Sequence, residues 1–357
     1  MSVTGIGAVL LLAFAMRLFM PTSTDPFRDA NGNAVAHSIA VVERWPLNGV
    51  EQSVVIRGRD LSNPALIWVG DLWCETPILR HFNAELENQF IVVYWCQRYS
   101  GQSLNPFAAP PKTLTLDQYV SDLGVLVDGV RARFKQNKVV LIGHSSGTAL
   151  SLIYIQRHPE NVAAYVGVGQ IVNEAESLKR SYRFALAQAR ARRDAQAAAE
   201  LERIGDPPYG DDRGAERGDE RSNAIVRKWT IAFGGAFHTR LSYAKLAYLS
   251  AESKEANWRD LAAFARTDDI VAPVYREMSN LAFDRTALNF EVPIFLLSGR
   301  YDHRTDAALA ENYLDQISAP QKAFVWFEQS AHSPNFEEPV AFDAWITAHI
   351  RPLVSAH

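Results

Sequence analysis

Apolar residues along this chain recur in two rhythms. Runs at 65–69, 90–94 and 139–142 have the composition of buried strands, and the largely apolar runs at 162–169, 293–299 and 323–327 read as further strands. Helical spacing follows or separates several of them. Leu116, Val120, Leu123, Val127, Val130 and Phe134 share one face behind a Thr115/Gln118 capping pair. Residues 77–88, Leu150 to Ile155, 307–317 and the set Phe342, Trp345, Ile346 and Ile350 predict further helices. An opening antiparallel pair is expected at 38–45 and 51–57, joined by Pro46-Leu47-Asn48-Gly49. This alternation predicts an α/β fold, a mostly parallel central sheet with helices on both faces and right-handed crossovers.

From about 171 to 288 the pattern is helical throughout. The Ala/Arg-rich run 185–202 predicts a solvated helix face, and the Gly/Asp/Arg-dense run 205–222 an exposed loop. Trp229, Phe233, Phe237, Tyr243 and Tyr248 either form a small core there or line a pocket. The expected divisions are an apolar N-terminal segment and linker (1–25), the first part of the α/β core (26–170), a helical insertion (171–288) and the second part of the core (289–357).

Residues 3–20 are almost wholly apolar, interrupted by Thr4 and Arg17. That length is near the lower limit for a membrane-crossing helix, and the basic start of a secretory signal is missing. Membrane association or export is one expectation. An apolar arm packed on a cytoplasmic body is the other. A net charge of −4 gives no basic footprint, so no nucleic-acid partner is expected. Two cysteines, Cys74 and Cys96, exclude a disulfide-dense scaffold and a cysteine zinc cluster. No metal or cofactor is expected.

Gly143-His144-Ser145-Ser146-Gly147 follows the 139–142 strand at once and opens a helix. G-x-S-x-G on a strand-to-helix turn is a nucleophile elbow, which lifts Ser145 beyond the sheet edge. A serine hydroxyl needs a base, and the base an orienting carboxylate. Asp302 and His332 follow two late strands, and the C-terminal ends of parallel strands open on one edge. Taken singly, Asp302 reads equally as a turn residue and His332 as an exposed loop residue. Their joint order after Ser145 favours a triad in which His332 is the base, with His303 and Asp306 as the nearest rivals to Asp302. Backbone N–H groups of Ser146 and Asp71 are the expected oxyanion donors.

These residues resemble the α/β-hydrolases related to proline iminopeptidases, over about 38–349. The resemblance rests on GHSSG around Ser145, YWCQRYSGQS (similar to the family's WDQRGSGRS), HPENVAAYVGVGQ, GRYD at Asp302 and SAHSPNFEEP at His332. It implies the α/β-hydrolase fold, a helical cap made by the insertion, and hydrolysis of an amide or ester of a small molecule or short peptide-like substrate. Peptidases of the family hold the substrate amine with acidic cap residues, a part open here to Glu174 and Glu176, which also fit as helix-start carboxylates. Gly70, Trp73, His144, Tyr99 and Trp229 complete the expected pocket. Two other outcomes stay open: acyl transfer, cyclisation or C–C cleavage in the same pocket, and a binding protein that has lost turnover.

The departures fall around the pocket. Val69-Gly70-Asp71-Leu72-Trp73 stands where the family has HGGPG, Cys96 where it has Asp, Tyr99 where it has Gly, and Ser146 where the peptidases usually have Trp. The Asp71 carboxylate is expected either to turn away to Arg98 or Tyr99, or to face the pocket and bind a substrate group. Loss of Gly-Pro-Gly predicts weak or absent release of N-terminal proline. The family's strand order brings the loops of Cys74 and Cys96 together, for a disulfide if the protein is exported and free thiols otherwise.

Overall fold

A computed structural model describes residues 21–105, 111, 113–208 and 216–354. Its strands are β1 (Ile39–Leu47), β2 (Val50–Gly58), β3 (Ala65–Val69), β4 (Ile91–Trp95), β5 (Val139–His144), β6 (Val162–Val168), β7 (Ile294–Gly299) and β8 (Lys322–Phe327). They form one sheet in the order β1-β2-β4-β3-β5-β6-β7-β8. The β1/β2 and β2/β4 pairs are antiparallel and the rest parallel. Both the opening hairpin and the parallel body therefore match the expectation from patterning.

The helices are α1 (Thr76–Asn83), α2 (Leu116–Phe134), α3 (Ser146–Arg157), α4 (Glu174–Ala191), α5 (Ala195–Ile204), α6 (Glu216–Ala232), α7 (Tyr243–Glu252), α8 (Trp258–Met278), α9 (Phe283–Thr286), α10 (Ala307–Gln316), α11 (Pro334–Glu337), α12 (Pro339–His349) and α13 (Arg351–Val354). Strand side chains alternate between two cores, as a pleated sheet covered on both faces requires. Ile67, Val93 and Leu141 pack with α2, α3 and α10 on one face; Leu66, Val92 and Val140 pack with α1 and α12 on the other. Elements α4 to α9 are inserted between β6 and β7. Their own core joins Tyr182, Ala185, Leu201, Val226, Trp229 and Phe233.

The structure refines three sequence expectations. The 185–202 run is two helices rather than one, because Arg193 takes a positive φ of 54° and Asp194 caps α5 by accepting from the Ala197 N–H. Helix begins at Glu216, inside the stretch expected to be a loop to 222. The polar linker is tied down. Ser23 N–H donates to Lys254 O (2.9 Å), Thr24 Oγ1 to Glu255 Oε1 (2.6 Å), and Lys254 pairs with Asp25 (2.8 Å), so residues 23–25 join the core to the turn between α7 and α8.

Residues 3–20 lie outside the described residues. Among those described, no helix is long and apolar enough to cross a membrane. Cys74 and Cys96 are joined in a disulfide, with a Cα separation of 4.7 Å, well inside bonding range.

Asp343 of α12 is buried under α1, where Asn83 Nδ2 donates to it (2.9 Å). Burial raises its pKa to about 7, against the lowering effect of that bond. A carboxyl whose folded pKa is raised loses stability as pH climbs from the unfolded value of 3.8 to the folded one. The cost at high pH is on the order of 4 kcal/mol. Asp343→Asn keeps an acceptor for Asn83, so thermal unfolding should show it more stable than wild type at pH 8 and little changed at pH 4.

Candidate active site

Ser145 sits between β5 and α3 with φ 52° and ψ −122°, a backbone conformation that persists only when its surroundings enforce it. Two glycines provide that enforcement. A Cβ on Gly147 would collide with the carbonyl oxygen of Val69, and one on Gly143 would lie 2.9 Å from Gly147 O and from Thr148 Cα. The Ser145 N–H donates to Val168 O (3.0 Å), and its carbonyl accepts from Thr148 N–H (2.9 Å) and Oγ1 (2.6 Å).

His332 lies in the loop after β8, with its ring against Gly169, where a Cβ would stand 2.7 Å from Cε1. Gly169 directly follows the Val168 whose carbonyl holds the Ser145 amide, so the elbow and the imidazole meet at this sheet edge. His332 Nδ1 and Asp302 Oδ2 are 3.1 Å apart. Asp302 also accepts from the N–H groups of Arg304 (2.8 Å) and Thr305 (3.1 Å) and from Thr305 Oγ1 (2.8 Å). Burial alone would raise the Asp302 pKa. The charge and hydrogen bond of His332, with the Thr305 donors, outweigh it and hold the carboxyl at about 2. Among the described residues, His332 Nε2 is buried without a hydrogen-bond partner.

The rivals to Asp302 are committed elsewhere. His303 stacks on Phe184 of α4 with centroids 3.8 Å apart, and Asp306 caps α10 and pairs with Arg180 (2.9 Å).

Beneath the elbow lies a pair that the sequence did not announce. His144 Nδ1 is 2.6 Å from Glu75 Oε1, and His144 Nε2 is 3.2 Å from Ser333 Oγ. Glu75, His144 and Ser333 are 1%, 3% and 3% exposed. Burial opposes charge on His144, but Glu75 more than offsets it and the pKa is raised. Glu75 closes the loop that begins at Gly70, His144 precedes Ser145, and Ser333 follows His332. One buried chain of hydrogen bonds thus ties together the three loops that meet at the elbow. His144 and Gly70 belong to this support rather than to the expected pocket: a Cβ on Gly70 would lie 2.8 Å from Glu75 Oε2.

Asp71 takes neither expected partner. Arg98 is held by Asp122 (2.5 Å), and Asp71 Oδ1 instead accepts from Ser146 Oγ (2.6 Å), Leu72 N–H (2.7 Å) and Tyr275 Oη (3.3 Å). Leu72 N–H also donates to Ser146 Oγ (3.0 Å). Burial would raise the Asp71 pKa, yet the Ser146 hydroxyl, His144, the Leu72 N–H and Arg304 together lower it. Among the described residues, the backbone N–H groups of Asp71 and Ser146 donate to no protein acceptor.

Other expected pocket residues separate. Glu174, at the start of α4, is within electrostatic reach of His332, Asp71, Arg304 and Arg227; burial raises its pKa against the cations. Glu176 turns the other way, to Arg180 (3.1 Å). Trp229 belongs to the insertion's core and donates to Glu200 (2.9 Å), Tyr99 packs on the core beside Arg98, and Trp73 packs, half-buried, on the face carrying α1. Tyr275 and Arg304 reach this cleft instead, and the adjacency of Arg304 to Asp302 was the available signal for it.

The chain belongs to the alpha/beta hydrolase fold family, whose model matches residues 69–339. It is 25% identical over 323 residues to the probable aminopeptidase YbaC of Bacillus subtilis (strain 168), covering 88% of this chain and 97% of that protein. A crystal structure of a proline iminopeptidase-related protein from Thermus thermophilus superposes with a TM-score of 0.61 at 20% identity, covering 89% of this chain and all (100%) of that one. An esterase from Rhodococcus sp. gives a TM-score of 0.55 at 16% identity, with 89% and 98% covered. The fold is therefore an α/β-hydrolase related to proline iminopeptidases, with aminopeptidases and esterases among its relatives.

Because His144 has a raised folded pKa, its contribution to stability is complete below the unfolded value of 6.5 and is lost as pH rises through the folded value. Glu75→Gln removes the cause of the shift. Melting temperatures measured across this range should fall with pH in wild type more steeply than in the variant. Glu75→Ala, which strands a buried partner, should cost about 3–5 kcal/mol.

Proposed function

We propose that the protein is a cofactor-independent serine hydrolase that cleaves an ester or amide of a small or short peptide-like substrate through an acyl-enzyme. The hydrogen bond between His332 and Asp302, placed beside the strained Ser145 elbow, carries this reading. Ser145 attacks the acyl carbon and His332 takes its proton through Nε2. Asp302 orients the ring by accepting from Nδ1–H, and the N–H groups of Ser146 and Asp71 receive the developing oxyanion. His332 then returns the proton to the leaving group and activates water for the second half-reaction. The insertion serves as the cap over this cleft.

Esters are favoured over N-terminal proline amides. Where the peptidases use Gly-Pro-Gly, this loop carries Asp71, braced on Ser146 and Tyr275, and the backbone has less freedom to admit a peptide chain. The apolar run at residues 3–20 also suits membrane association, which we include in the proposal.

Ser145→Ala should lower kcat/KM for a 4-nitrophenyl ester by roughly 10⁴ or more, and Asp302→Asn by a comparable factor. Near-normal turnover by the Ser145 variant would overturn the assignment. Asp302 is ionised down to about pH 2, so its protonation should not set the acid limb of the wild-type pH profile. Prolyl 4-nitroanilide should be turned over poorly; efficient release of proline would contradict the account of the Asp71 loop.

A further inference from the structure

Two of the chain's departures from the resembled family are the two ends of one hydrogen bond. Asp71 stands at one of the family's loop glycines and Ser146 at the usual tryptophan of the peptidases, and here Ser146 Oγ donates to Asp71 Oδ1 (2.6 Å). Leu72 N–H closes a triangle, donating to Asp71 Oδ1 (2.7 Å) and to Ser146 Oγ (3.0 Å). Leu72 and Ser146 are buried, where such bonds are strong and leaving one unmade is costly. Backbone groups hold the rest of the loop: Gln97 Nε2 donates to Gly70 O (2.8 Å) and Cys74 N–H to Asp71 O (3.1 Å). A third side chain enters from the insertion. Tyr275 Oη donates to the same Asp71 oxygen (3.3 Å), and burial keeps the hydroxyl protonated by pushing its pKa well above the usual value. Its helix, α8, is firmly seated. Val271 and Met278, one turn to either side of Tyr275, are buried in the main core, and Leu116 N–H donates to Glu277 Oε2 (2.7 Å).

We propose that the side chains of Asp71, Ser146 and Tyr275 are positioning groups for the oxyanion site, holding the backbone N–H groups of Asp71 and Ser146 in register for the transition state. This rests on the serine hydrolase reading above. Two backbone donors stabilise an oxyanion only when both point at one atom, about 2.7–3.1 Å away, so their relative placement matters as much as their presence. A glycine-rich loop offers no side chain for that purpose. Here one carboxylate oxygen ties the residue that bears the first donor to the residue that bears the second. A carboxylate near a developing negative charge raises the barrier, and the three donors converging on Oδ1 offset part of that charge. Because Tyr275 belongs to α8, the loop is also set by how the insertion sits on the core.

The test is steady-state hydrolysis of a 4-nitrophenyl ester, with rates taken per mole of Ser145 titrated by a fluorophosphonate, so that misfolded protein is not counted. Asp71→Ala and Ser146→Ala keep both N–H groups and remove the tie between them. Each should lower kcat about ten- to a hundredfold with KM little changed, the size expected for donors displaced by up to about 1 Å. Because the two side chains act as one unit, the double variant should be no slower than the slower single one. Asp71→Asn still offers an acceptor to Ser146 and Leu72 and should regain most of the kcat lost in Asp71→Ala. Tyr275→Phe gives up one longer bond and should lose about three- to tenfold in kcat. An unchanged kcat in both alanine variants, additive losses in the double variant, a loss that falls on KM, or Asp71→Asn as slow as Asp71→Ala overturns the assignment while leaving the hydrolase reading in place. If an alanine variant does not fold, Tyr275→Phe decides: a loss confined to kcat supports the assignment, and no loss overturns it. A wild type that neither turns over the ester nor takes up the probe overturns the hydrolase reading, and this assignment with it.

Discussion

A carboxylate and an imidazole withdrawn from water each lose several kcal/mol of hydration, and a buried pair survives only when short, well-placed hydrogen bonds offset that loss. Glu75 and His144 meet this condition at 2.6 Å, with Ser333 on the second ring nitrogen. Because the three residues sit next to the Asp71 loop, Ser145 and His332, satisfying their polar atoms fixes the relative position of the parts that the proposed chemistry needs. Any loop that moved would strand a buried charge. The Cys74–Cys96 disulfide, beside Glu75, anchors the same loop covalently to the exit of β4.

Close backbone approach supplies the rest of the alignment. Gly147 lets α3 press on the end of β3, Gly169 makes room for the His332 ring, and Ser145 is held in its strained conformation by bonds to Val168 and Thr148. Upon this frame the pocket has diverged. Where the resembled family has a glycine-rich loop, this chain has a polar one in which Ser146 Oγ donates to Asp71, linking the loop to the elbow through side chains. On the proposed reading the frame suits acyl-enzyme chemistry generally, and the changed loop around Asp71 bears on what enters.

Much of this was legible in the sequence, for physical reasons. Buried strands read as apolar runs, and residues at consecutive strand ends must share an edge, so Ser145, Asp302 and His332 could be placed before any coordinates. Side-chain direction was harder. Glu174 and Glu176 are two residues apart on a helix, about 200° around its axis, and only one can face the cleft. Trp229 follows Val226 and precedes Phe233 at helical spacing, which marks the insertion's own core and leaves Arg227 on another face. Glu75 was invisible because nothing in a sequence says which carboxylate will be buried; His144, its partner, was seen only as packing beneath the elbow. Asp71 found Ser146 and Tyr275 because Arg98 was already held by Asp122, a pairing between distant segments that local pattern does not encode.

The most direct test of the account is covalent. Treated with a fluorophosphonate, the folded protein should gain a single adduct mass, and peptide mapping should place it on the peptide containing Ser145, with the reaction slowed when Glu75 is replaced by glutamine. A folded protein that takes up no adduct, or takes it up at another residue, would contradict the claim that this buried tie presents an activated serine.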